Sequence, residues 1–236
     1  MIVLFWDIDG TLLTTARAGV FAWEDSVREL TSREFDLSVI RTAGMTDYQI
    51  ALRTLETLGL DASAPNVERL LRRYEALLPG SLPRRNGRVL DNVREILEHL
   101  RAERADVRSY LLTGNTRAGA HAKLTYYRLA GFFAGGAFAE DAGARSTIAE
   151  RALALAKQTA PVRDGTIFLV GDTPHDIECA KPIGAKTIAV ATGGYSVDEL
   201  RAHGPWRLFA TLPPAEEFVR LLDAPVGAHR RDSHLA

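Results

Sequence analysis

Four short apolar runs, separated by stretches of helical periodicity, restrict the fold of this chain more than any other feature. They are "VLFW" (3–6), "VRSYLLT" (107–113), "GTIFLV" (165–170) and "AKTIAVAT" (185–192). "RAGAHAKLTYYRLAGFF" (117–133) follows the second run and reads as a helix, as does "TPHDIECAKPIG" (173–184) between the last two. Apolar runs without polar alternation suit strands buried on both faces. Strands and helices alternating at this spacing make parallel βαβ units. Such crossovers are right-handed, and the carboxyl ends of the strands gather along one edge of the sheet. Asp7, Thr113 and Asp172 stand at those ends, so all three face one crevice.

Residues 15 to 82 read differently. "GVFAWEDSVREL", "TDYQIALRTLETLG" and "NVERLLRRYEALLPG" carry apolar residues at helical spacing and contain no strand pattern. Asp61 to Pro65 and Pro79 to Pro83 supply the breaks. The expectation is a helical insert over 15–83, between the first strand and the main α/β core, which then comprises 1–14 and 84–224. The remainder, 225–236, is polar and aperiodic and reads as a frayed tail, its His229 and His234 inert.

Composition excludes several classes. Lys+Arg is 29 against Asp+Glu 30, which gives no bulk attraction to nucleic acid or to an anionic membrane. No stretch reaches the ~18 apolar residues of a membrane span, and Asp7 interrupts the first apolar run too early for a signal peptide. A single cysteine, Cys179, excludes an intrachain disulfide and points to a reducing, cytoplasmic location.

The sheet edge also collects Asp9, Gly10, Thr11, Gly114, Asn115 and Asp176. Three or four carboxylates in one place repel one another unless a cation sits among them. Hard oxygen ligands suit Mg²⁺, which takes one or two carboxylates together with substrate phosphate. No His/Cys cluster has zinc spacing.

"DIDGTLL" (7–13), "LLTGN" (111–115) and "VGDTPHDIECAKPIGAKTIAV" (170–190), in that order, resemble the first, second and fourth motifs of the haloacid dehalogenase superfamily, and more narrowly its phosphoglycolate phosphatase-like branch. The resemblance covers residues 1 to about 212. It implies a doubly wound parallel α/β core with an α-helical cap inserted after the first strand. It also implies Mg²⁺-dependent hydrolysis of a small phosphorylated metabolite. Asp7 would be the nucleophile that forms an aspartyl-phosphate, and Asp9 would act as general acid and then general base. Mg²⁺ would be held by Asp7, the Asp9 main-chain carbonyl and Asp172, with Asp176 acting directly or through water. Thr113 and the Gly114 N–H would bind phosphoryl oxygens, with Gly10, Thr11 and Asn115 beside them.

The third motif departs from the pattern. Where the family carries a lysine, "EDAGARSTIAERAL" (140–153) places Arg145. Arginine neutralises phosphate bidentately but is not an equivalent cation. Lys123, one of four lysines in the chain, competes for the role from the helix after Thr113. In the insert, "RTAGMTD" (41–47) matches a place where related phosphatases approach substrate. Thr46 stands there either as a contact or as a helix N-cap, with Asp47 in the first turn. Arg41 and Arg17 are candidate contacts for an anionic substrate tail, and His175 reads as solvated or as facing the cap. Residues 14–83 contain no lysine and no histidine. That argues against a Schiff-base lysine and against the His/Lys pair of β-phosphoglucomutase-like members. Two alternatives to hydrolysis remain: a phosphosugar mutase, and a non-catalytic phosphate- or metal-binding protein.

Overall fold

A computed structural model of the chain describes residues 1–141, 143–159, 161–163 and 165–223. The expected frayed tail, 225–236, lies outside the described residues. In chain order the elements begin with β1 (Ile2–Trp6), β2 (Leu13–Thr14), α1 (Ala18–Thr31), α2 (Asp47–Thr57), α3 (Ala64–Ser81), β3 (Arg88–Val89) and α4 (Val93–Glu103). They continue with β4 (Val107–Leu112), α5 (Arg117–Tyr126), β5 (Gly136–Ala137), α6 (Arg145–Thr159), β6 (Ile167–Gly171) and α7 (Pro174–Ala180). The last are β7 (Lys186–Val190), α8 (Val197–Arg201), β8 (Arg207–Phe209) and α9 (Ala215–Leu222).

Six strands form one parallel sheet in the order β5-β4-β1-β6-β7-β8, with β1 central between β4 and β6. The period of two along each strand sends alternate side chains to opposite faces. Leu4, Trp6, Leu111, Phe168 and Val170 pack on one face with residues of α4 and α9. Val3, Phe5, Tyr110, Leu112 and Leu169 pack on the other with α6 and α7. The sheet is therefore covered on both sides, as the unbroken apolar runs predict. Trp6 is fully buried, stacks on Phe218 at 5.5 Å between ring centroids, and donates its indole N–H to Ser109 Oγ at 3.3 Å. Each fully buried large side chain of this kind contributes about 1.5–3 kcal/mol.

Between β2 and β3 the chain is helical, with no strand among the described residues from 15 to 87. The antiparallel pair β2–β3 ties the two ends of this segment together at the sheet's carboxyl edge. Trp23, Leu70, Tyr74 and Leu78 fill the space between its helices.

Two boundaries differ from the sequence reading. Pro65 falls in the first turn of α3, where a missing N–H costs nothing, but Pro79 lies inside the helix, which runs two residues further. A proline in the last turn removes one hydrogen bond without preventing the turn. The helix expected over 117–133 ends at Tyr126, where Arg128 adopts a left-handed φ of 57°, and a separate 3-10 turn follows at Ala130–Phe132. Among the described residues, no helix is long and apolar enough to cross a membrane.

Candidate active site

The three central strands of the sheet, β4, β1 and β6, are each followed at once by a polar residue at the carboxyl edge. Asp7 follows β1 and is fixed by its own N–H, which donates to the Val170 carbonyl at 3.0 Å. Thr113 follows β4 and Asp172 follows β6. Gly10 makes the turn after Asp9 at a φ of 79°, and a Cβ there would collide with the Asp172 carboxylate. Only glycine satisfies both demands. The second such position is Gly44, at a φ of 81° in the loop before α2, where a Cβ would overlap the His175 ring. His175 therefore faces the helical segment.

Two cations divide the carboxylates between them. The Arg145 guanidinium, on the first residue of α6, donates to Asp176 Oδ1 at 2.5 Å and lies 3.1 Å from Asp7 Oδ1. Among the described residues, its buried Nε has no hydrogen-bond partner. The Lys123 ammonium, on α5, donates to Asp9 Oδ2 at 2.6 Å and to Asn115 Oδ1 at 2.5 Å. Asn115 completes that group by donating its Nδ2 to Asp9 Oδ2 and to Thr113 Oγ1, both at 2.8 Å. Burial disfavours the charged forms of Arg145 and Lys123, yet the adjoining carboxylates more than reverse this and raise both above their ordinary values.

Asp7, Asp172 and Asp176 each offer a carboxylate oxygen within 4.8 Å of the others, and all three are buried. Asp7 is pushed up to about 7 by burial first, against the opposing pull of Arg145, and then by the charges of Asp176 and Asp9. Asp172 is raised well above the carboxylate range by burial and by Asp7 and Asp176. One guanidinium is thus too little positive charge for this group. Hard oxygens short of counter-charge fit a hard divalent cation. Cys179, the one thiol, is buried in α7 and is not among these ligands. Asp176 has a second duty: its Oδ2 accepts from the Thr173 N–H and hydroxyl, forming a capping box that starts α7.

A cavity of about 450 Å³ opens over these groups. Asp7, Asp9, Gly10, Thr113, Gly114, Asn115, Lys123, Arg145 and Asp172 line it. The remaining expected site residues lie elsewhere. Thr11 is buried behind the wall and donates to Asp172 Oδ1 at 3.1 Å. Thr46 is fully buried as the N-cap of α2, in a capping box with Gln49. Arg17 and Arg41 are not brought to the cavity; each is exposed and lies over an aromatic ring, Phe21 and Tyr195 respectively.

Asp47, placed from sequence only in the first turn after Thr46, and four residues not singled out there also contribute. Asp47 donates its N–H to the Gly114 carbonyl at 2.7 Å and accepts the Thr116 N–H on Oδ2 at 2.8 Å, so it clamps α2 to the loop after β4. Burial pushes it up to about 6, although Lys123 and the Thr116 N–H oppose the shift. Thr192 and Gly193, after β7, complete the carboxyl edge; the strand-end rule that located Asp7 applies to them equally. Trp23 and Tyr74 reach the cavity from α1 and α3, and their only sequence signal was ordinary helical periodicity.

Residues 4–181 match the family described as haloacid dehalogenase-like hydrolase. "Probable phosphatase IndB" of Dickeya dadantii (strain 3937) is 28% identical over 232 residues, which cover 95% of this chain and 97% of that protein. Two solved structures share the fold. A "predicted phosphoglycolate phosphatase" from Haemophilus somnus 129pt superposes with a TM-score of 0.70 at 15% identity, over 94% of this chain and 97% of the other. CbbY from Rhodobacter sphaeroides, in complex with phosphate, superposes with a TM-score of 0.71 at 16% identity, over 89% and 95%.

Proposed function

The chain belongs to the haloacid dehalogenase-like hydrolases, and from that membership we propose that it is a Mg²⁺-dependent phosphatase acting on a small phosphate monoester. The observation that carries this is the division of the sheet edge into two ion-paired groups. Asp7 sits with Arg145 and the carboxylates of Asp172 and Asp176, while Asp9 sits with Lys123 and Asn115. One group suits attack on phosphorus, the other proton transfer at the leaving oxygen.

Mg²⁺ would be held by Asp7, Asp172 and the Asp9 main-chain carbonyl, with Asp176 reaching it through water because both its oxygens are already engaged. When bound it supplies charge neutralisation at the phosphoryl oxygens, which is most of what phosphoryl transfer asks of a site. Asp7 attacks phosphorus and displaces the alcohol, giving an aspartyl-phosphate. Asp9 gives its proton to the leaving oxygen, then takes one from the water that hydrolyses the acyl phosphate. Thr113, the Gly114 N–H and Arg145 orient the phosphoryl oxygens. Lys123 and Asn115 hold the Asp9 side chain in place through both steps. Helices α1–α3 act as a cap (15–83) over the core (1–14 and 84–224), excluding water once substrate is bound.

Hydrolysis is favoured over phosphosugar transfer because the cap side contributes no lysine or histidine to present a second sugar hydroxyl. A reducing cytoplasm suits the single buried thiol. The test is phosphate release from a panel of phosphate monoesters, with and without Mg²⁺, by wild type and Asp7→Asn. Mg²⁺-dependent release by the wild type alone is the expected result. Release by neither protein, with Mg²⁺ bound, would point to a phosphosugar mutase or to a non-catalytic binding protein.

A further inference from the structure

We propose that the alcohol half of the substrate is uncharged and carries an apolar, ring-sized body, which excludes phosphoglycolate and other carboxylate-bearing esters as preferred substrates. This deepens the phosphatase reading and rests on it. Away from Asp7, Asp9 and Asp172, the cavity is lined by Val20, Trp23, Leu37, Met45, Ile50 and Tyr74, with Thr14, Thr15, Thr42 and Asp47 interspersed. Trp23 donates its indole N–H away to Thr54 Oγ1 at 3.1 Å, so the edge of this largely buried ring that reaches the cavity is carbon. Its ring lies 4.8 Å from that of Tyr74, tilted by 54°, so the two form an aromatic corner. Such a surface rewards apolar contact, and the hydroxyl-bearing residues beside it, among them Thr14, Thr15, Thr42 and Tyr74, serve orientation without adding positive charge.

A second anionic group would find no partner there. Among the described residues, the cations lining the cavity are Lys123 and Arg145. Both are committed, Lys123 to Asp9 and Asn115 and Arg145 to Asp7 and Asp176. The charged group that α2 contributes to the wall is Asp47, itself a carboxylate. Arg17 and Arg41, which could have met a substrate carboxylate, lie outside the lining on the rings of Phe21 and Tyr195. A carboxylate pressed against Val20 and Trp23 would lose its hydration and gain nothing in return.

The test compares kcat/KM, with Mg²⁺, for benzyl phosphate, glycerol 1-phosphate and phosphoglycolate. All three are primary alkyl esters, so they differ chiefly in what meets the wall. Benzyl phosphate is expected to exceed phosphoglycolate by roughly tenfold or more, with glycerol 1-phosphate between them. Val20→Arg, in the first turn of α1, places a free cation in the wall and should move the benzyl-to-phosphoglycolate ratio toward phosphoglycolate by about tenfold. Phosphoglycolate hydrolysed as well as benzyl phosphate by the wild type overturns the assignment and leaves the phosphatase reading intact. Release from none of the three, while other esters of the wider panel turn over, overturns it equally. Release from no ester at all defeats the phosphatase reading, and the assignment falls with it.

Discussion

At the carboxyl edge of the sheet, Asp7, Asp9, Arg145 and Lys123 are tied into two ion-paired groups, and Asn115 and Thr113 satisfy the polar atoms between them. Across the cavity, α1 and α2 present Val20, Trp23 and Ile50, with Tyr74 beside them on α3. The first surface is held by geometry that a single deletion disturbs, because removing one charge strands another in a buried site. The second is held by packing, which tolerates exchange of one apolar side chain for another of similar volume. A site divided in this way can keep its chemistry constant while the opposite wall determines which alcohol fits.

The sharpest attempt to break this contrast is Asp7→Asn. It keeps the shape of the buried residue and should lower kcat by at least about 10³-fold while circular dichroism and Tm show the fold retained. Arg145→Met and Lys123→Met come next, each expected to cost about 10²-fold, and they should separate by parameter. Loss of Arg145 should raise KM together with lowering kcat, since in the proposed mechanism it meets the phosphoryl group. Loss of Lys123 should fall mainly on kcat, since it holds Asp9.

Asp47→Asn sharpens the boundary between the two surfaces. Asp47 is raised from 3.8 to about 6 in the folded protein, so its burial favours the protonated form. The stability it contributes is present below about pH 4 and is lost as pH rises through about 6. Asparagine keeps an acceptor for the Thr116 N–H and removes the charge. Its Tm relative to wild type should therefore climb between pH 4 and pH 7, by the equivalent of roughly 2–3 kcal/mol. A pH-independent difference would mean that Asp47 is not desolvated by the clamp between α2 and the loop after β4. The smallest effect belongs to the apolar wall. Val20→Ser should cost a few-fold in kcat/KM for benzyl phosphate and less for glycerol 1-phosphate, measured side by side.

The two surfaces were not equally legible in the sequence. A strand buried on both faces must stop where its apolar run stops, so Asp7, Thr113 and Asp172 could be placed together from spacing alone. The short edge strands were not readable. Gly136–Ala137 and Arg207–Phe209 become strands because β4 and β7 offer them partners, not because of their own composition. Arg145 and Lys123 looked like rivals for one role; only the fold separates them, one on each side of the site. Helical periodicity showed that Trp23 and Tyr74 face inward, but a buried face looks the same whether it meets core or cavity. Arg17 and Arg41 suggested substrate contacts by charge, yet each lies exposed over an aromatic ring and neither lines the cavity.

The most direct test of the central claim is to stop the wild-type enzyme with acid while it turns over a reactive aryl phosphate with Mg²⁺, and to map the covalent label by peptide mass spectrometry. The account predicts one acid-stable, hydroxylamine-labile phosphoryl group on the N-terminal peptide, carried by Asp7 and absent from Asp7→Asn. A phosphoryl group on any other side chain, or full turnover by Asp7→Asn, would contradict it.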